Sequence, residues 1–227
     1  MIRETDRQLF KKAITRFLAG LVIVSLLLFV PAWSFRFWQA WLLIGILFVP
    51  MFIAGLVMLR KNPALLQKRL NAREEQGEQK AVILLSGIMF LGAFIVAGLN
   101  YRFRWIVLPS AVSWIAAAIF LAAYALYAEV LRENEYLSRT IEIQKDQKVI
   151  DTGLYGIVRH PMYMVTVFLF LSMPLVLGSL LSFVIMLVYI PIIVKRIRNE
   201  EKVLEEGLPG YAEYKTRVRY RLLPFIW

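Results

Sequence analysis

Apolar and charged positions along this chain segregate into long blocks. Five uncharged runs stand out: Phe17 to Trp33 with 17 residues, Phe37 to Leu59 with 23, Ala81 to Tyr101 with 21, Trp105 to Ala128 with 24 and Met162 to Val194 with 33. About 20 helical residues cross the roughly 30 Å hydrocarbon core of a bilayer, so each of the first four runs predicts one transmembrane helix. The fifth is too long for one crossing. Pro174 and the pair Gly178-Ser179 interrupt it, a combination that turns or breaks a helix. It therefore predicts a hairpin with arms at about Tyr163 to Leu175 and Ser179 to Arg198, the first arm short for a full crossing.

The segments between the runs have their own patterns. RKNPALLQKRLNAREEQGEQK, from Arg60 to Lys80, mixes charge with Leu65, Leu66 and Leu70, which suits a short amphipathic helix at the interface. Glu129, Glu133 and Glu135 carry the fourth helix past the membrane. IEIQKDQKVI, from Ile141 to Ile150, alternates loosely and is rich in β-branched residues, which predicts extended chain. Asp151-Thr152-Gly153 reads as a turn whose glycine permits close backbone approach to a bound group.

Composition narrows the class. Hydrophobic residues make up 59% of the 227 positions and mean hydropathy is +0.62, more apolar surface than an aqueous globule hides. Absence of cysteine excludes disulfides and thiolate metal sites, and the single histidine cannot build an imidazole metal cluster, so no metal is expected. The net charge of +11 sits beside apolar spans, pointing to anionic lipid headgroups and not to nucleic acid. Lys and Arg number 5 in the head (1 to 16), 6 at 60 to 80, 5 at 131 to 161 and 8 from 195 onward, against 1 at 34 to 36 and 2 at 102 to 104. The positive-inside rule puts the head, those two loops and the tail in the cytoplasm, with the chain crossing the inner or plasma membrane several times. The basic head reads as the flank of an uncleaved first span, since no small-residue cleavage site follows. Trp33, Trp38 and Trp41 read as an aromatic belt. The expected architecture is all-α: a single polytopic membrane domain over 1–227, with four transmembrane helices in 1–130, then a hairpin flanked by a cytoplasmic segment and tail.

Candidate chemistry gathers at the two ends of the hairpin. His160 lies between Arg159 and Pro161 where a polar segment turns apolar; Arg196 and Glu200, four apart and so on one helix face, close the run on its far side. Two readings stand. Arg159 and His160 are interfacial anchors, Pro161 starts a helix, Tyr155 and Tyr163 are belt residues and Arg196–Glu200 is a surface ion pair; or these groups enclose a site.

The ordered pattern VIDTGLYGIVRHPMY, apolar hairpin, RIRNEEKVL and YAEYKTRVRYRLLP favours the site. Over Ile141 to Pro224 it resembles the isoprenylcysteine carboxyl methyltransferase family of integral membrane enzymes, in a short bacterial or archaeal form, and more distantly the membrane phospholipid methyltransferases. The resemblance implies a methyltransferase region over 141–224 that uses S-adenosylmethionine. It implies that Gln144, Gln147, Lys148, Val149, Ile150, Tyr155, His160, Pro161, Met162 and Tyr163 line the cofactor, that Glu200 holds it from the other arm and that Arg196 meets the substrate. Which of Arg217, Arg219 and Arg221 faces the site is left open. The implied partner is a lipophilic or prenylated molecule reached from the bilayer, its carboxylate accepting the methyl group without a general base. A phospholipid or other amine acceptor would need a base, with His160, Glu200 and Glu201 as candidates. A reductase-like or lipid-binding relative and a non-catalytic membrane interaction protein are the readings of other classes.

Overall fold

The long apolar runs form the helices that their lengths predict. The computed structural model describes residues 4–70, 77–137 and 143–227. Its helices are α1 (Glu4–Ala32), α2 (Trp38–Lys61), α3 (Pro63–Leu70), α4 (Gly77–Phe103), α5 (Ser110–Glu133), α6 (Pro161–Val176), α7 (Leu180–Met186), α8 (Tyr189–Gly207) and α9 (Tyr211–Arg217). There is no strand among the described residues. Arg7–Ala32, Trp38–Lys61, Val82–Phe103, Ser110–Glu133 and Leu180–Gly207 are each long and apolar enough to cross a membrane. The protein is a polytopic helical membrane bundle. Its outer face is apolar, as lipid requires: Val22, Ile23, Leu26 and Val30 of α1 are more than half exposed.

α5 runs along α6, α1 packs on α2 and α4, and α4 also supports α7 and α8. Leu28, Phe37, Leu43, Phe120, Val165 and Val176 are fully buried where these helices meet. The Ser182 hydroxyl donates to the Ala93 carbonyl and ties α7 to α4. α3 is the short interfacial helix expected in the second loop. Asn62 accepts from the Leu65 amide at 3.0 Å and Pro63 occupies the first turn, while Leu65 and Leu66 are buried. Residues 71–76 of that loop lie outside the described residues.

The hairpin differs in detail from the expectation. The first arm ends at Val176, one residue past the expected Leu175, and closes in a Schellman motif. Gly178 adopts φ +67°, its amide donates to Leu175, and the Ser179 amide donates to Pro174. Ser179 then caps α7 through its hydroxyl, which accepts from the Ser182 amide at 3.3 Å. The second arm extends nine residues beyond Arg198 and steps at Leu187-Val188. Pro191 explains the step: it has no amide to give, and its ring conflicts with the carbonyl four residues back, at Leu187.

Hairpin geometry sets the depth of the chemistry. At about 1.5 Å per residue, α6 is roughly 24 Å long from tip to Pro161, and Arg196 lies about the same distance along α7–α8. The start of α6 and the segment from Arg196 to Glu201 therefore stand level at the mouth of the hairpin.

Gly98 marks the closest approach of α4 to α1. A Cβ there would sit 2.7 Å from the Leu28 carbonyl and 3.1 Å from the Ala32 amide, whereas one on Gly87 of the same helix meets nothing within 4 Å. Gly98→Ala should destabilise the detergent-solubilised protein by about 1–3 kcal/mol through overpacking, and Gly87→Ala should leave its thermal midpoint unchanged or slightly raised. Equal midpoints for the two variants would contradict this packing.

Candidate functional site

α8 presents two adjacent stripes. Ile193, Ile197 and Glu201, spaced by four, are buried against the rest of the protein, while Arg196, Glu200, Val203 and Leu204 face a cleft. The cleft is open to solvent and holds about 850 Å³ of space, mouth included. Its opposite wall is built from 147–150, Tyr155 and the start of α6, and its end from Leu208, Tyr211 and Tyr214.

Glu201 fixes that geometry. It is only 3% exposed and binds three groups. Arg159 Nε donates to its Oε1 at 2.8 Å, Arg221 Nε donates to its Oε2 at 2.8 Å, and His160 Nε2 lies 3.3 Å from Oε1. Arg159 Nη1 also donates to the Val218 and Arg219 carbonyls at 2.8 and 2.9 Å. The Arg159 and His160 amides donate to the Tyr220 and Arg221 carbonyls at 2.9 Å. Arg221 is therefore the tail arginine at the site. Arg217 pairs instead with exposed Asp151 at 2.8 Å. Arg159 and His160 point inward, at 6% and 5% exposure, and are not snorkelling anchors.

A second array opens on the cleft. The buried Tyr163 hydroxyl donates to Glu200 Oε2 and accepts from Arg196 Nε at 2.9 Å. His160 stacks on Tyr163 with centroids 5.8 Å apart. One phenol thus joins a carboxylate and a guanidinium that sequence spacing alone makes a direct pair.

Of the residues singled out from the sequence, Gln147, Lys148, Val149, Ile150, Tyr155, His160, Met162, Tyr163, Arg196 and Glu200 all line the cleft. Gln144 and Pro161 do not. The Gln144 side chain donates to the Tyr136 carbonyl, with nitrogen and oxygen 2.6 Å apart, and its amide donates to Gln147 Oε1 at 2.9 Å, so it braces the wall from behind. Pro161 is buried in the first turn of α6. The expected extended run is broken by a turn at Lys145-Asp146, where Asp146 takes φ +59°. Its first two residues, 141 and 142, lie outside the described residues. Gly153 has φ +52° and opens a 3-10 turn, Gly153–Gly156. The group that closes on it is the Glu133 carboxylate, which accepts from the Leu154 amide at 3.1 Å and would overlap any Cβ on Gly153.

Asn134, Tyr136, Leu137, Arg159, Val203, Leu204, Leu208, Tyr211 and Tyr214 also line the cleft without having been assigned there. Val203 and Leu204 were readable as the helical continuation of Arg196 and Glu200; the others depend on tertiary folding. Asn134 Nδ2 donates to the Tyr155 hydroxyl at 2.9 Å, and the Tyr214 hydroxyl donates to the Tyr155 carbonyl at 2.8 Å. The Tyr211 hydroxyl is buried with no hydrogen-bond partner among the described residues. Burial pushes the phenols of Tyr155, Tyr211 and Tyr214 well above the ordinary tyrosine value, so all three are neutral near pH 7. Chemically the cleft offers an acid for a cation, a guanidinium for an anion and an apolar end at Val149 and Leu208 for a flat group. Among the described residues no cluster suits a metal ion.

Removing the charge of Glu201 strands buried Arg159. Glu201→Gln should cost about 3–5 kcal/mol in unfolding experiments, whereas Asp151→Asn, breaking an exposed pair, should cost less than about 1 kcal/mol. Comparable losses would show that Glu201 holds nothing together.

Residues 114–206 match the model of the isoprenylcysteine carboxyl methyltransferase (ICMT) family. The chain is also similar to a Delta(14)-sterol reductase of Mus musculus, 31% identical over 91 residues that make up 39% of this chain and 22% of the reductase. The chain thus matches about a fifth of that relative's length. The stretch that matches the family model, from α5 to α8, carries His160, Arg196 and both acids of the site.

Proposed function

We propose that the protein transfers a methyl group from S-adenosylmethionine to a lipophilic acceptor, the carboxylate of an isoprenylcysteine-like molecule, at the cytoplasmic edge of the bilayer. One observation carries the reading: Glu200 and Arg196, joined through Tyr163, open on the same cleft as the 147–150 wall and the buried, unpartnered Tyr211 hydroxyl. The donor set fits the cofactor. Glu200 is placed for its ammonium, Val149, Leu204 and Leu208 for its nucleoside, and the orphaned phenol signals a polar group still to be met.

Bound S-adenosylmethionine supplies a methyl group on a sulfonium. The chain's residues orient and desolvate. Glu200 anchors the cofactor from α8, and Arg196 grips the acceptor carboxylate with its fork. Met162, Val203 and Leu204 exclude water from the space between. A cation and an anion that neutralise each other in the transition state react fastest when held in line in a dry site. Lateral entry from the bilayer suits a greasy acceptor, which is already dissolved there.

Similarity to a sterol reductase supports a second reading, a reductase drawing on NADPH. Calorimetry on the detergent-solubilised protein separates the two: S-adenosylmethionine should bind and NADPH should not. Binding of NADPH alone would favour the reductase, and binding of neither would remove both. Arg196→Ala should cut transfer to a prenylcysteine carboxylate by about 100-fold or more while leaving cofactor affinity within about threefold. Equal loss of both would refute the division of roles. Radiolabelled methyl transfer into total lipid extracts tests the phospholipid alternative directly.

A further inference from the structure

The part of the cleft nearest α9 sets the buried Arg159 guanidinium close to a phenol that has no hydrogen-bond partner among the described residues. Glu201 is one carboxylate shared by two guanidiniums, those of Arg159 and Arg221, and Arg159 is buried. Arg159 spends Nε on Glu201 and Nη1 on two tail carbonyls. Tyr211, 4% exposed, stands close by on the cleft wall, its hydroxyl buried without a partner among the described residues. Glu200, Glu201 and Arg159 are all close enough to act on that hydroxyl electrostatically. A buried hydroxyl left unpaired destabilises the fold that holds it. An acceptor of hydrogen bonds relieves that penalty, and Arg159 close by suits an anionic one. The neighbouring Glu200 attracts a cation, so the cleft presents a cation partner and an anion partner side by side. An α-amino acid, with ammonium and carboxylate on one carbon, carries that pair.

Resting on the cofactor reading above, we propose that Tyr211, backed by Arg159, forms the subsite for the carboxylate of the cofactor's amino-acid end, with Glu200 taking its ammonium. Tyr211 lies beyond the family match, which ends at residue 206, and none of the sequence motifs assigned it a role. Its phenol stays protonated and therefore donates.

The test compares S-adenosylmethionine with its decarboxylated analogue, which keeps the sulfonium and the ammonium, by calorimetry on the full-length protein and on Tyr211→Phe. The variant should lose about tenfold or more in affinity for S-adenosylmethionine, as expected for a hydrogen bond to a charged group, and nothing for the analogue, which lacks the carboxylate. Unliganded Tyr211→Phe should melt at or above the wild-type temperature, because the hydroxyl it removes has no hydrogen-bond partner among the described residues. Equal losses for both ligands would assign the hydroxyl to the nucleoside. No loss for either, or a midpoint several degrees lower, would also overturn the subsite while leaving the cofactor reading intact. Failure of the wild-type protein to bind S-adenosylmethionine would remove the cofactor reading and the subsite with it.

Discussion

One buried carboxylate holds the site in shape. Glu201 belongs to α8, Arg159 and His160 to the segment entering α6, and Arg221 to the tail, so a single side chain joins three stretches separated by 20 to 42 positions. Desolvating a carboxylate and a guanidinium costs several kcal/mol for each ion, and a buried pair recovers this only when its remaining hydrogen bonds are made. Here they are: Arg159 also donates to Val218 and Arg219, and both carboxylate oxygens accept. Such a cluster contributes more to uniqueness than to net stability. An apolar substitute would let the tail slide along the hairpin mouth, whereas fixed donors and acceptors allow one register.

That register explains why Glu200 and Glu201, adjacent and chemically alike, do different things. Successive residues on a helix point about 100° apart. With the stripe through Ile193 and Ile197 buried, Glu201 must continue inward, and Glu200 turns to the cleft with Arg196 and Leu204. The sequence shows the pair but not the rotation of the helix, and only packing against the tail decides it.

The bundle was legible because lipid imposes a length: runs of about 20 uncharged residues have few alternatives to spanning helices. The hairpin tip was legible too, from Gly178, whose positive φ suits a residue without Cβ. Pro174 marked the end of the first arm to within two residues, whereas Pro191 passed unnoticed in an apolar run although it makes the step between α7 and α8. Within the site, spacing brought out His160, Arg196 and Glu200, since those are local patterns. The bracing role of Gln144, the Glu133 carboxylate against Gly153 and the inward turn of Arg159 depend on residues 8 to 60 positions away and leave no periodic trace.

The same contacts bear on which acceptor suits the proposed reaction. An amine must lose a proton, and the candidate bases named from the sequence are engaged. Glu201 has both oxygens bound by guanidiniums, Glu200 accepts from Tyr163, and the imidazole of His160 is directed at Glu201. The remaining cleft phenols described as buried are neutral donors. Candidate bases that are already engaged in holding position suit an acceptor that needs no deprotonation, which supports the carboxylate proposed to meet Arg196 over an amine.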